Sequence, residues 1–340
     1  MTTPLFDLRQ LESACDLVHR HVPPTPAREW PALSRRLGAE AWIKHENLAP
    51  TGAFKVRGGL VYMDRLKRER PQVQGVISAT RGNHGQSLAY AGRERGVRVV
   101  ICVPRGNSIV KNEAMRRLGA ELVEHGRDFD EARQYANSLA VEQGLEFVNS
   151  FDPDLVLGVA TYAHEFFTAV PALDVIYVPV GMGSAICAMI TVRDLLGLRT
   201  EIVGVQAAGA PAYFESFRQK RVVSTAQAQT KADGVATRTP DPRAVEIINR
   251  GAARIVLVDD DAIANAIRVY DADIQQRAEG AGAAPLAAAL QERAQLAGRR
   301  VGLVLSGGNI DLELLRSWVT AGAAPSPPAP LPQTGEGSNQ

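Results

Sequence analysis

Lys55 stands in the segment NLAPTGAFKVRGG (47–59), where helix physics would not choose a lysine. Pro50 and Thr51-Gly52 read as a turn, and AFKVRGGLVYMDRLKRER runs on with helical spacing, which puts Lys55 in the first turn of a helix. The partial positive charge of a helix start disfavours an ammonium there by a few tenths to about 1 kcal/mol. One reading is a surface lysine between two glycine-bearing turns. The other is an amine kept neutral for chemistry, with the helix end and the neighbouring Arg57 both lowering its pKa so that it can attack an aldehyde or take a proton.

Three further segments pair small residues with polar groups at a helix start. In VIYVPVGMGSAICAMITVRDLLG a β-rich run ends at Val180 and Gly181, Met182, Gly183, Ser184 and Ala185 lead into a helix. Their free amides and the Ser184 hydroxyl suit a phosphate, although a tight turn packed for steric reasons has the same sequence. The segment fails the dinucleotide fingerprint, whose third glycine would fall at Ile186, and lacks the lysine of a P-loop. In GVISATRGNHGQSLAYAGRERG, Thr80, Arg81, Gly82, Asn83 and His84 sit between strand and helix. Here Asn83 is either a ligand contact or an N-cap, and His84 either a ligand contact or a core histidine. In GLVLSGGNIDLELLRSW, Ser306 is a hydroxyl contact or a turn residue.

The elements that must position these residues are legible in outline. From residue 74 onward eight β-rich runs alternate with helix-length segments: GVISA, RVVICVP, ELVEH, LEFVNS, VIYVPV, EIVGVQ, RIVLVDD and RVGLVLSGG. That alternation predicts an α/β fold with two parallel-type sheet domains flanked by helices. Asp128 and Asp260-Asp261 read as helix starts. The glycine-rich turns follow strands, so they are expected to converge at the strands' carboxyl ends on one site.

With 340 residues, 45% hydrophobic, the chain can bury two cores. A formal net charge of +1 with interspersed signs leaves no basic stripe for nucleic acid and no polybasic membrane patch, so a small-molecule partner is expected. Cys15, Cys102 and Cys187 fit neither a disulfide framework nor metal spacing and read as reduced thiols of a cytoplasmic protein. No apolar run is long enough for a signal sequence or a membrane span. The Pro-, Ser- and Gly-rich residues 323–340 read as a disordered tail.

Taken together, KHENLAPTGAFKVRGG, ATRGNHGQS, PVGMGSAI, KADGVA, AEGAGAAPLAA and LSGGNID, in that order from residue 44 to 311, resemble a fold-type II pyridoxal-phosphate enzyme. The similarity is to the group holding threonine dehydratase (threonine ammonia-lyase), serine dehydratase and serine racemase. The resemblance implies a tryptophan synthase β-subunit-like architecture with its site between the domains. It makes residues 1–60 and 150–322 a large cofactor-binding domain and 61–149 a small mobile one. Pyridoxal 5'-phosphate is the cofactor implied, with Lys55 as its Schiff-base lysine and catalytic base and Phe54 against its ring. Asn83 would meet the ring hydroxyl, Gly181 to Ala185 the phosphate, Gly234 the opposite ring face and Ser306 the pyridine nitrogen. The turn of Thr80, Arg81, Gly82, Asn83 and His84 would take the substrate carboxylate. A homo-oligomer is also implied.

The chain departs from the family in three places. Met182 and Ser184 replace two glycines of the phosphate turn, and Met182 is expected to point away from the ligand. Arg81 stands where serine racemase has a proton-returning serine, which disfavours racemisation. Gln206 and Ala210 stand where cation-dependent relatives have carboxylates, so no metal is expected. The function expected is β-elimination from L-threonine, or L-serine, to a 2-oxo acid and ammonia. Alternatives are a phenylserine, 3-hydroxyaspartate with its β-carboxylate on Arg81, or a pyridoxal-phosphate-binding protein without turnover.

Overall fold

A computed structural model describes residues 5–170 and 172–320. The tail expected at 323–340 lies outside them. Strands β1 (Ala27–Glu29), β2 (Glu40–His45), β7 (Val175–Pro179), β8 (Glu201–Ala207), β9 (Arg254–Val258) and β10 (Arg300–Leu305) build one sheet in the order β1-β2-β10-β7-β8-β9. A second sheet, in the order β5-β4-β3-β6, holds β3 (Gly75–Ala79), β4 (Arg98–Val103), β5 (Glu121–Glu124) and β6 (Glu146–Phe147). Every pairing is parallel except β1 with β2. All eight β-rich runs after residue 74 are strands. They could be read because parallel strands covered on both faces are apolar throughout, and β3 and β7 are buried at every position. Asp128 caps its helix by accepting the Glu131 amide, whereas Asp259, one residue before the expected pair, caps the helix Asp260–Ile274.

One core runs between the two sheets. It is filled by four helices, Lys55–Glu69, Asn83–Arg95, Pro153–Ala169 and Ser184–Leu195, through residues such as Leu60, Met63, Leu88, Val156, Phe166 and Met189, against Val76 and Ile101 of the smaller sheet and Ile176 and Val178 of the larger. Where the Lys55 and Pro153 helices cross there is no room for side chains. A Cβ on Gly58 would lie 2.6 Å from the Leu155 carbonyl oxygen, and one on Gly158 would collide with the Arg57 carbonyl. Gly58-Gly59, a turn by its composition, is therefore helix interior, and its glycines serve backbone-to-backbone packing.

Candidate active site

The carboxyl ends of β2, β3, β7 and β10 all lead into the segments singled out above. After β2 the chain reaches Phe54, whose backbone amide donates to the Ser306 carbonyl at 3.1 Å, and Lys55, the first residue of its helix. After β3 come Thr80 to His84, after β7 Gly181 to Ala185, and after β10 Ser306. One cavity is lined by Phe54, Lys55, Asn83, the 181–185 turn, Gly234 and Ser306 together. An adjoining pocket is lined by Lys55 with Thr80, Arg81, Gly82, Asn83 and His84. Every predicted site residue thus lies on one or both.

Electrostatics at Lys55 differ in cause from the expectation. Desolvation pushes its pKa down to about 8, against the pull of Glu279. Arg57 takes no part, because residues two apart on a helix do not face each other. Its guanidinium is fully buried on the far side, where all five N–H donors are used: Nε and Nη2 on Glu46 (2.8 and 3.0 Å), Nη1 and Nη2 on Glu165 (2.5 and 3.0 Å), and Nη1 on Thr161 (3.0 Å). Lys44 donates to Glu165 (2.5 Å) and to the Thr25 carbonyl (2.7 Å), closing a charge network beneath the site.

Two of the helix starts that face the cavity, at Ser184 and Asn83, have glycine N-caps and no capping side chain. Gly183, at φ 98°, is the N-cap of the Ser184 helix and Gly82 that of the Asn83 helix, so first-turn amides are left for an anion. The Gly82 amide itself donates to Thr80 Oγ1 at 3.0 Å. The His84 ring bonds Ser78 Oγ at 3.1 Å, and its pKa is pushed down to about 3 by burial and then by Lys55, which keeps the imidazole neutral. Met182 turns its side chain toward Thr237, which lines the outer pocket and not the cavity of the 181–185 turn. Its sulfur lies 3.9 Å from the Thr237 hydroxyl, on the wall of the outer pocket.

Asn83 does more than start a helix. Its Nδ2 donates to Glu279 Oε1 at 2.7 Å and its Oδ1 accepts from Asn309 Nδ2 at 2.9 Å, leaving one amide hydrogen free. Glu279 is a site residue that sequence reasoning passed over. It is 3% exposed, it lines the Lys55 cavity, and its Oε2 has no hydrogen-bond partner among the described residues. Burial raises its pKa to about 7, against the pull of Lys111. The Lys111–Asp233 ion pair (2.5 Å) at the outer pocket was also missed. AEGAGAAPLAA and KADGVA hold two of these residues, yet nothing in either segment says which side chain turns inward.

Pyridoxal phosphate fits this cavity. A depressed-pKa primary amine, an uncapped helix start at Ser184 and a buried carboxyl oxygen without a partner converge on one space. The Gly181 and Gly234 turns also approach so closely that a Cβ on Gly181 would strike the Gly234 carbonyl oxygen. Comparison with known proteins agrees. The sequence pattern of the family described as "Pyridoxal-phosphate dependent enzyme" matches residues 18–307. The chain is 36% identical to an L-threonine ammonia-lyase of Geobacter sulfurreducens over 93% of its own length and 76% of the relative's. Its fold matches the processed form of threonine deaminase isoform 2 from Solanum lycopersicum (TM-score 0.85, 28% identity, 94% of this chain and 96% of that one). It also matches a pyridoxal 5'-phosphate-dependent aspartate racemase (TM-score 0.87, 28% identity, 93% and 99%). The chain belongs to the pyridoxal-phosphate dependent enzyme family, and pyridoxal 5'-phosphate is its cofactor.

Proposed function

We propose that this enzyme is an ammonia-lyase that dehydrates a β-hydroxy-α-amino acid to a 2-oxo acid and ammonia, with L-threonine first and L-serine second among the monocarboxylic substrates. The observation that carries the reading is that Lys55 lines both the inner cavity and the pocket in front of it, so one amine serves cofactor and substrate. The names of the Geobacter and tomato relatives support threonine as substrate.

When bound, the cofactor conjugates the substrate's amino group and so delocalises the negative charge left as the Cα proton departs. Lys55, whose pKa desolvation lowers to about 8, takes that proton in its neutral form. First-turn amides of the Asn83 helix hold the α-carboxylate, those of the Ser184 helix hold the phosphate, and Ser306 meets the ring nitrogen with a neutral hydroxyl. Elimination rather than racemisation follows from Arg81, because a guanidinium cannot return a proton to the opposite face of Cα at neutral pH. By resemblance we also assign residues 61–149, which carry the smaller sheet, to a unit that moves against 1–60 and 150–322, and expect a cytoplasmic homo-oligomer.

The test is 2-oxo acid release from L-threonine and L-serine by the purified holoenzyme. Lys55→Ala should lose the visible imine absorbance and at least about 10²-fold in kcat/KM. Threonine turnover at the wild-type rate by that variant would refute the role given to Lys55. No oxo acid from any β-hydroxy amino acid would refute elimination.

A further inference from the structure

The space in front of Lys55 is far larger than the β-substituent of threonine or serine requires. The outer pocket, about 120 Å³, shares Arg81, Phe129, Met182, Asp233, Ala236 and Thr237 with a neighbouring cavity of about 410 Å³. A water-sized group, comparable to threonine's methyl, needs roughly 10–15 Å³. A substrate held at Lys55 would therefore direct its β-substituent toward, or into, a chamber built for something bigger.

The charges on the chamber walls say what that is. From the Ile109–Arg117 helix, Lys111 is paired with Asp233 of the opposite wall at 2.5 Å. Arg238 is paired with Asp130 at 2.9 Å, and Arg133 reaches the same carboxylate at 3.7 Å. Asp128 is occupied in capping, accepting the Glu131 amide at 3.0 Å. Arg81 alone among these groups has a side chain with no hydrogen bond or ion pair within the described residues, although its backbone carbonyl is held by Asn107 Nδ2 at 3.3 Å. Arg81 is exposed, so water alone solvates the one guanidinium on these walls that has no side-chain partner among the described residues. Arg81 lies at the junction, lining both spaces, whereas Lys55, Asn83 and His84 line the outer pocket and not the larger cavity beyond it.

We propose that Arg81 receives a carboxylate carried on the substrate's β-carbon, so that the preferred substrate class is the β-hydroxy dicarboxylic amino acids, of which 3-hydroxyaspartate is the simplest. This rests on the elimination reading above and names its substrate. The α-carboxylate has the uncapped amides of the Asn83 helix, which leaves the guanidinium for a second anion that it can meet bidentately. Phe129 and Met182 give the chamber an apolar wall, and an aryl group there would stack on the Arg81 guanidinium, but only a carboxylate meets it with two charge-assisted hydrogen bonds.

Two measurements on the holoenzyme test this. The ratio of kcat/KM for 3-hydroxyaspartate to that for threonine should exceed one in the wild type. It should fall about 10- to 100-fold in Arg81→Met, the worth of one charge-assisted contact, with partial recovery in Arg81→Lys. Second, L-aspartate and L-alanine, which have no β-hydroxyl to lose, are titrated against the imine absorbance. Arg81→Met should weaken aspartate relative to alanine by a similar factor. An unchanged ratio in both measurements, or a wild-type preference for phenylserine over 3-hydroxyaspartate, overturns the proposal. Selective aspartate binding with no oxo acid from any substrate would leave Arg81 its anion and refute elimination instead.

Discussion

Replacing Arg57 with methionine separates two views of the KVRGG segment. If Arg57 worked on Lys55, its loss would raise the lysine's pKa and leave stability largely intact. The structure gives it other work. Without it, Glu46 (fully buried) and Glu165 (9% exposed) are left with one ammonium, Lys44, and the His19 ring on Glu165 at 2.8 Å, with six hydrogen bonds gone. Removing one partner from a buried ion cluster costs about 3–5 kcal/mol. A second estimate agrees. The cheapest escape is for one carboxyl to take up a proton, which at pH 7 costs about 1.4 kcal/mol for each pH unit above an ordinary glutamate pKa, roughly 4 kcal/mol.

That escape has a pH signature. In the wild type Arg57 and Lys44 hold Glu165 below its usual pKa despite burial, so its contribution is present above the unfolded value and lost only as pH falls toward the depressed folded one. In Arg57→Met the uncompensated carboxyl is raised, so the variant binds an extra proton when folded and gains stability as pH falls. The deficit should therefore shrink by about 1.4 kcal/mol per unit between pH 7 and pH 5. Urea unfolding followed by far-UV circular dichroism, at matched protein and cofactor concentrations, measures it. Adding Glu165→Gln should restore part of the loss. A deficit under about 1 kcal/mol, or one independent of pH from 5 to 7, would refute the reasoning.

Two further outcomes follow from the cavity. Because desolvation brings Lys55 down to about 8, the rate at which cofactor-stripped protein captures pyridoxal phosphate should rise with pH about a midpoint near 8, not near 10.5; stopped-flow absorbance decides. Gly181→Ala places a methyl against the Gly234 carbonyl oxygen, a backbone atom that cannot swing aside, and should weaken cofactor binding by at least about 10-fold while the far-UV spectrum is unchanged.

How much of this was legible depended on which physical signal each residue left in the chain. Strands buried on both faces announce themselves as unbroken apolar runs, so β3, β4, β7, β8 and β10 could be read. By contrast β2, EAWIKH, was not. Its buried positions include Lys44 and His45, a cation and an imidazole where the strand pattern demands hydrocarbon, and only the partners Glu165 and Trp30 make that burial affordable. The turns that line the cavity were legible because glycine-rich helix starts are local features. Arg57, Lys111, Asp233 and Glu279 were misread or missed because their roles are set by partners from about 11 to 196 residues away. Adjacency in sequence even misled at Arg57, since a two-residue step on a helix turns a side chain to the other face. The same geometry gives KVRGG its order. Lys55 faces the cofactor cavity, Arg57 the buried carboxylates, and Gly58 and Gly59 the helices that hold both in place, so a change at Arg57, Gly58 or Gly59 reaches the amine only through the fold that positions it.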